Sequence, residues 1–415
     1  MKKSQSVIKR DSKVISPSLT RDLDIVFERG DNCNIWDIDG KKYLDFTASV
    51  AVNSVGHANK EVQKAITKQM KKGNHCCFSD FYAQKPVELA EKLLALMPNF
   101  DKVFFSNSGT ESTEAAYKMA RWHTNKTWVI AFDGCFHGRT MGSLSMTNSK
   151  PIQRDRYSPF LPIVHVPYPY AHKLQMSEDD STDHCLSELE DKVRAMQNDL
   201  AAVFIEPILG EGGYVVPQKR FMKGMYKICE DYGILLGSDE VQSGCFRTGR
   251  FLAMENFEIE ADITWLSKAL GGGLPLGATI AKKGIMDWPA GSHANTFGGN
   301  LLGSAAAVAV LDIMKKKKLG ENAIKVGEYF KKRFNENLGE VILEVRGLGL
   351  MIGLEIVDSQ TRDKIIQECA REGLILLPAG NSVIRICPPL TITKEEAEKG
   401  IRVIEKIIRK IKIRF

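Results

Sequence analysis

From about residue 100 the chain repeats one pattern: a short apolar strand, a turn of small polar residues, then a helical stretch. The strands read as 102–106, 127–131, 201–205, 234–237 and 263–266, and the first helix as 111–121. Each strand is apolar on both of its faces. A strand with one wet face alternates polar and apolar residues, whereas one that is apolar throughout must be covered on both sides. Alternation with helices supplies that cover as a mostly parallel sheet between helical layers. The expectation is an α/β unit whose ligand site lies beyond the carboxyl ends of the strands.

The flanks read differently. Residues 34–46 carry alternating apolar positions on either side of Asp39 and Gly40, which predicts a β-hairpin. Helical spacing covers 60–72 and 83–97, the second stopped by Pro98. After 320 come a helix over 321–337, strand-like segments at 341–345, 350–356, 374–377 and 383–386, and a closing helix with Ile401, Ile404, Ile408 and Ile411 on one stripe. The expected organisation is an N-terminal segment (1–50) packing with a smaller α+β domain (316–415), around a large domain (51–315). The first 20 or so residues are polar and expected to be loose at the very end.

Composition removes several function classes. The chain has 415 residues, 43% of them hydrophobic and 26% charged, which suits a large core in more than one domain. A net charge of +6 is too diffuse for a nucleic-acid face. The basic runs Lys315–Lys318 and Arg409–Arg414 read as solvated helix ends. The nine cysteines are scattered, with Cys76 and Cys77 the one close pair, so neither a metal site nor a disulfide framework is expected. Reduced thiols point to the cytoplasm. The N-terminus, MKKSQSVIKRDSK, has no apolar signal core, and no run of about 18 apolar residues predicts a membrane span.

Three segments carry chemistry. Residues 264–277 (TWLSKALGGGLPLG) place Lys268 at a strand end before three glycines. Glycines let backbone approach a ligand closely, and a desolvated lysine favours the neutral amine that attacks carbonyls. An ordinary surface lysine is the alternative. Residues 234–244 (ILLGSDEVQSG) put Asp239 at the end of a buried strand, where a carboxylate needs a cation such as a protonated ring nitrogen. The alternative is a helix cap. Residues 106–111 (SNSGTE) join strand to helix, and amides and hydroxyls at a helix start suit a phosphate. A capping box without ligand would read the same way.

At these residues the chain resembles the class III (ω-amino acid) aminotransferases of the type I pyridoxal-phosphate fold. The likeness runs from Asn32 to Thr393. It is carried by residues 35–46, SGTE at 108–111, FHGRT at 136–140, IEPILGEGG at 205–213 and DEVQSG at 239–244. FRTG at 246–249, SKA at 267–269, TFGGN at 296–300, VRGLG at 345–349, and IRI at 384–386 with LTI at 390–392 extend it.

The resemblance implies pyridoxal 5′-phosphate as cofactor. Lys268 would be the Schiff-base lysine and proton shuttle, and Asp239 would pair the pyridine nitrogen. Ser108, Gly109 and Thr110 would hold the phosphate, with Thr296 reaching in from a second subunit. Phe136 would stack on the ring, Val241 pack on its other face and Gln242 bond its phenolic oxygen, with His137 and Glu206 nearby. Val50, Arg139, Glu211 and Arg385 would meet the substrate. One arginine would grip the carboxylate of the ω-amino acid and the other an α-carboxylate, with Glu211 occupying the second when no α-carboxylate is present. The implied partners are small amino and keto acids, and the implied assembly a homodimer or a dimer-based oligomer. Within the family the likeness is greatest to 4-aminobutyrate aminotransferases, with 2-oxoglutarate as acceptor. Ornithine, acetylornithine and lysine ω-aminotransferases and amino-acid racemases share the same motifs. Three places depart from the 4-aminobutyrate pattern: Ser79 and Leu209 replace glutamines, and the 379–382 loop is short and lacks a tyrosine.

Overall fold

The computed structural model describes residues 2–411. Its centre is a seven-stranded sheet in the order Phe100–Ser106, Gly277–Lys282, Ile263–Leu266, Leu235–Asp239, Leu200–Ile205, Trp128–Phe132, Ile163–Val166. The last five are mutually parallel, as apolar strands linked by helices require. Gly277–Lys282 runs antiparallel to both of its neighbours. It follows Ile263–Leu266 after a short turn, and a parallel return needs a crossover of about a dozen residues or more. Sequence reading missed this strand, hidden behind the glycines, and Ile163–Val166, which carries His165 in four residues.

Helix Gly109–Thr124 lies on one side of the sheet, and Leu301–Lys316 packs with Lys60–Met70 and Gln84–Leu96. Trp265, Phe204 and Phe132, on three of the sheet's strands, are wholly buried.

Two four-stranded sheets complete the molecule. Asn34–Asp37 and Lys42–Asp45 form the predicted hairpin, flanked by Phe27–Asp31 and Leu374–Ile375. Glu344–Leu348, Met351–Glu355, Val383–Ile386 and Leu377–Ala379 form the other, antiparallel throughout. The expected strand 374–377 is therefore split between two sheets at the buried Leu376. Helix Lys394–Ile411 buries Ile401, Ile404, Ile407 and Ile408, while Ile411 is only half-covered.

Looseness is expected at the very N-terminal end, whose first position lies outside the described residues. Residues 3–14 form a helix with no buried residue, tied by the Lys3 amide and the Ser4 hydroxyl to the Asp39 carboxylate. Lys315 and Lys316 end their helix as expected, and positions 412–414 of the second basic run lie outside the described residues. All nine thiols are unpaired. Among the described residues, no helix is long and apolar enough to cross a membrane.

Candidate active site

Strands Leu235–Asp239 and Ile263–Leu266 are parallel neighbours, with Asp239 beside Trp265. Their carboxyl ends therefore deliver Asp239 and Lys268 to one edge of the sheet. Asp239 is buried, takes a 2.7 Å hydrogen bond from His137 Nδ1 and accepts at 3.0 Å from the Val241 amide. Burial pulls the His137 imidazole down, but its bond to Asp239 and that carboxylate's charge carry it above the ordinary histidine range. His137 Nε2 is buried without a partner. Glu206 follows strand Leu200–Ile205 and accepts from the amides of Phe136 at 2.8 Å and Gly210 at 3.2 Å. Burial, then the charge of Asp239, raises its carboxyl.

Helix Gly109–Thr124 begins beside them. Ser108 caps it by accepting from the Glu111 amide at 3.3 Å. Glu111 turns its own carboxylate to the Asn107 amide and side chain rather than back to Ser108, so no reciprocal capping box closes the end. The first amides of a helix have no partner within it, and its dipole favours an anion there. Thr110 adds a hydroxyl, 2.9 Å from Thr140 and 2.5 Å from Ser143. A Cβ on Gly109 would lie 2.8 Å from Val241 Cγ1, so only glycine lets this helix start close against the segment that follows Asp239.

Lys268 stands in a turn at φ 39°, with Gly272 and Gly273 also at positive φ. Burial drives its amine towards the neutral form and Arg385 adds to this, while Glu211, Asp239 and Glu206 oppose. Arg385 Nη1 bonds Glu211 Oε1 at 2.6 Å. Burial disfavours charge on Glu211, but Arg385 and then Lys150, 3.7 Å away, hold its carboxyl below the usual range.

Gln242 accepts from the Tyr214 hydroxyl at 2.6 Å. Phe136 is half-buried, and the exposed Arg139 sits 5.9 Å over its ring. Val50 lies in a turn, Ala48–Ala51, whose four residues all have φ between 45° and 65°. That left-handed turn packs beside the turn holding Lys268. Thr296 is exposed and hydrogen-bonds none of the others within its own chain. Tyr214 and Lys150 were missed. Tyr214 follows the GEGG run directly, but Lys150 has only its fold to reveal it.

The donor set has a definite chemistry: a buried carboxylate for a cationic ring nitrogen, an amine tuned towards neutrality, and a helix start for a phosphate. These residues fit pyridoxal phosphate. Among the described residues no three His, Cys, Asp or Glu side chains cluster as metal ligands.

Comparison with known proteins agrees. The aminotransferase class-III family model matches residues 15–408. The chain is 38% identical over 414 residues to an acetylornithine aminotransferase of Methanothermobacter thermautotrophicus, covering 98% of this chain and 99% of the relative. It is 36% identical over 429 residues to an alanine/serine racemase of Pyrococcus horikoshii, covering 98% and 90%. A Toxoplasma gondii ornithine aminotransferase crystal structure, with partial occupancy of PLP at its active site, superposes with a TM-score of 0.90 at 29% identity, covering 99% of this chain and 96% of that one. This chain therefore belongs to the class III aminotransferase family, and its cofactor is pyridoxal 5′-phosphate.

Proposed function

We propose that this aminotransferase takes the ω-amino group of an acetylornithine- or ornithine-like donor and delivers it to 2-oxoglutarate. The observation that carries the reading is the pair of buried Arg385 and half-buried Glu211 at 2.6 Å, close enough to Lys268 for both charges to act on its amine. A buried guanidinium keeps its proton and needs an anion at all times. Glu211 supplies one when the donor has no carboxylate near the reacting amine. A dicarboxylate acceptor brings its own and displaces Glu211, while its far carboxylate reaches Arg139. The acetylornithine and ornithine enzymes among the similar proteins favour such a donor over 4-aminobutyrate.

In this reading Ser108, Gly109 and Thr110 hold the phosphate, joined by Thr296 of a second copy. Asp239, steadied by His137, keeps the ring nitrogen charged. Phe136 and Val241 enclose the ring, Gln242 bonds its phenolic oxygen, Glu206 lies alongside, and Val50 walls the substrate side. Bound there, pyridoxal phosphate draws electrons from the carbon that carries the substrate nitrogen. Lys268 Nζ would take the proton from that carbon and pass it to the cofactor carbon joined to the same nitrogen, so that water releases the keto product and the amino group stays behind; its burial-favoured neutral amine permits this.

The test is a donor panel of N2-acetylornithine, ornithine and 4-aminobutyrate against 2-oxoglutarate and pyruvate, with Arg385→Lys alongside. Lysine loses the forked grip on a carboxylate, so the KM for 2-oxoglutarate should rise about tenfold or more, while the ω-donor half-reaction, in which lysine still offers Glu211 a charge, should suffer less. A clear preference for 4-aminobutyrate, or an unaltered acceptor KM, overturns the reading. The racemase relative supports a second one: loss of optical activity from L-alanine without any keto acid would establish it.

A further inference from the structure

The VRGLG motif has no part in the chemistry above, yet the sheet sets its arginine on the same row as Arg385. Arg346 is paired across the sheet with Gly353, and Gly353 with Arg385. Residues paired across antiparallel strands share a face. The two arginines thus stand on one face about 10 Å apart, two strand spacings, with a residue lacking a side chain between them. The gap is filled by Gly213 and Tyr214, which follow Glu211 in the chain. A Cβ on Gly353 would come within 3.1 Å of Val383 Cγ1 on the neighbouring strand, 3.2 Å of Tyr214 Cβ and 3.3 Å of the Gly213 carbonyl oxygen.

Both ends of the 211–213 segment are gripped. Arg385 binds the Glu211 carboxylate, and Arg346 donates to the Gly213 carbonyl from Nη2 at 2.7 Å and Nε at 3.2 Å. The Glu211 carbonyl accepts from the Gly380 amide at 2.7 Å. Arg346 is itself buried and oriented by the wholly buried Glu355 at 2.7 Å, by Glu344 at 2.6 Å and by the Tyr170 hydroxyl at 3.1 Å. Its charge is answered by carboxylates, so its two bonds to one neutral carbonyl are positional.

We propose that Arg346 is a positioning residue for the Arg385–Glu211 pair, acting through the Gly213 carbonyl. By holding the segment against the sheet, it presents Glu211 to Arg385 in one geometry and sets how strongly an incoming carboxylate must compete. This rests on the reading of Arg385 as a carboxylate receptor.

Loosening the anchor weakens the competitor. Arg385 is then free in a larger fraction of molecules, and a dicarboxylate binds more tightly in proportion to that fraction. An ω-donor, which needs Glu211 seated on Arg385, reacts less well. The two effects have opposite signs, whereas general damage lowers both.

The experiment uses the holoenzyme and two variants. Arg346→Lys keeps the charge and loses the double grip. Gly353→Ala keeps every charge and crowds the Gly213 carbonyl and Tyr214 by a few tenths of an ångström, loosening their seat against the sheet. Glutarate binding is read from the bound cofactor's absorbance, and kcat/KM is measured for N2-acetylornithine. Both variants should bind glutarate about fivefold more tightly and lose about fivefold in kcat/KM. If both quantities worsen together, if neither moves, or if glutarate binds less tightly, Arg346 has no such role. Should one variant fail to fold, the other reads the same prediction. Arg385→Lys separates the two levels: if it leaves glutarate affinity unchanged, the carboxylate-receptor reading fails, and if it weakens glutarate while the other variants lack the opposed changes, only the role of Arg346 fails.

Discussion

Lys268 holds a left-handed backbone conformation that costs a residue with a side chain about 1–3 kcal/mol. Its neighbours impose it: the strand behind, the glycines ahead and the left-handed turn 48–51 beside it. Replacing Lys268 with alanine should remove the absorbance of the covalently held cofactor and lower turnover by about 10²-fold or more, leaving the circular dichroism of the fold intact. An unchanged visible spectrum would refute the lysine's role. At this scale the sequence was legible where a residue type is rare in its setting. A lysine before three glycines and an aspartate ending an apolar strand both declare themselves. Arg346 was visible as part of a motif, but nothing along the chain says that it faces Gly213.

Elements were legible in kind and less so in pairing. The hairpin around Asp39 and Gly40 and the stripe of Lys394–Ile411 follow from periodicities of two and 3.6 residues. The split at Leu376 does not, because four apolar residues look alike whichever sheet each one joins. Just past strand Leu235–Asp239 stands Glu240, whose carboxylate accepts from Ser243 at 2.7 Å and from the amides of Ala253 at 2.9 Å and Met254 at 3.1 Å. Burial raises its carboxyl from 4.5 to about 7, against the pull of those bonds. Between those values the folded chain keeps a proton that the unfolded chain has released, so stability falls as pH rises through the window. Glu240→Gln should flatten this part of the decline in melting temperature between about pH 4.5 and about pH 7. It should also lower stability by about 1–3 kcal/mol, because an amide accepts at one atom only. A variant whose pH slope matches the wild type would show that Glu240 does not titrate there.

For the whole molecule, the exposed Thr296 and its exposed neighbour Phe297, with Phe81 and Tyr82 also exposed, suit the proposed twofold assembly in which Thr296 completes the phosphate site of a second copy. Sedimentation should give about twice the 46.3 kDa of one chain, and Thr296→Ala should weaken cofactor retention. A fully active monomer would contradict both. The sequence by itself determined the mostly parallel α/β core and the strand-end lysine and aspartate, because local periodicity and rare residue settings are written along the chain, and its motifs carried the resemblance that pointed to the family and cofactor. The resemblance implied that Glu211 meets one of two arginines; only the tertiary structure decided which one, and what Arg346 grips. The Arg385–Glu211 pair joins residues 174 positions apart, and the Arg346–Gly213 contact joins residues 133 apart. Such pairings depend on sheet register and loop placement, which short-range sequence does not encode.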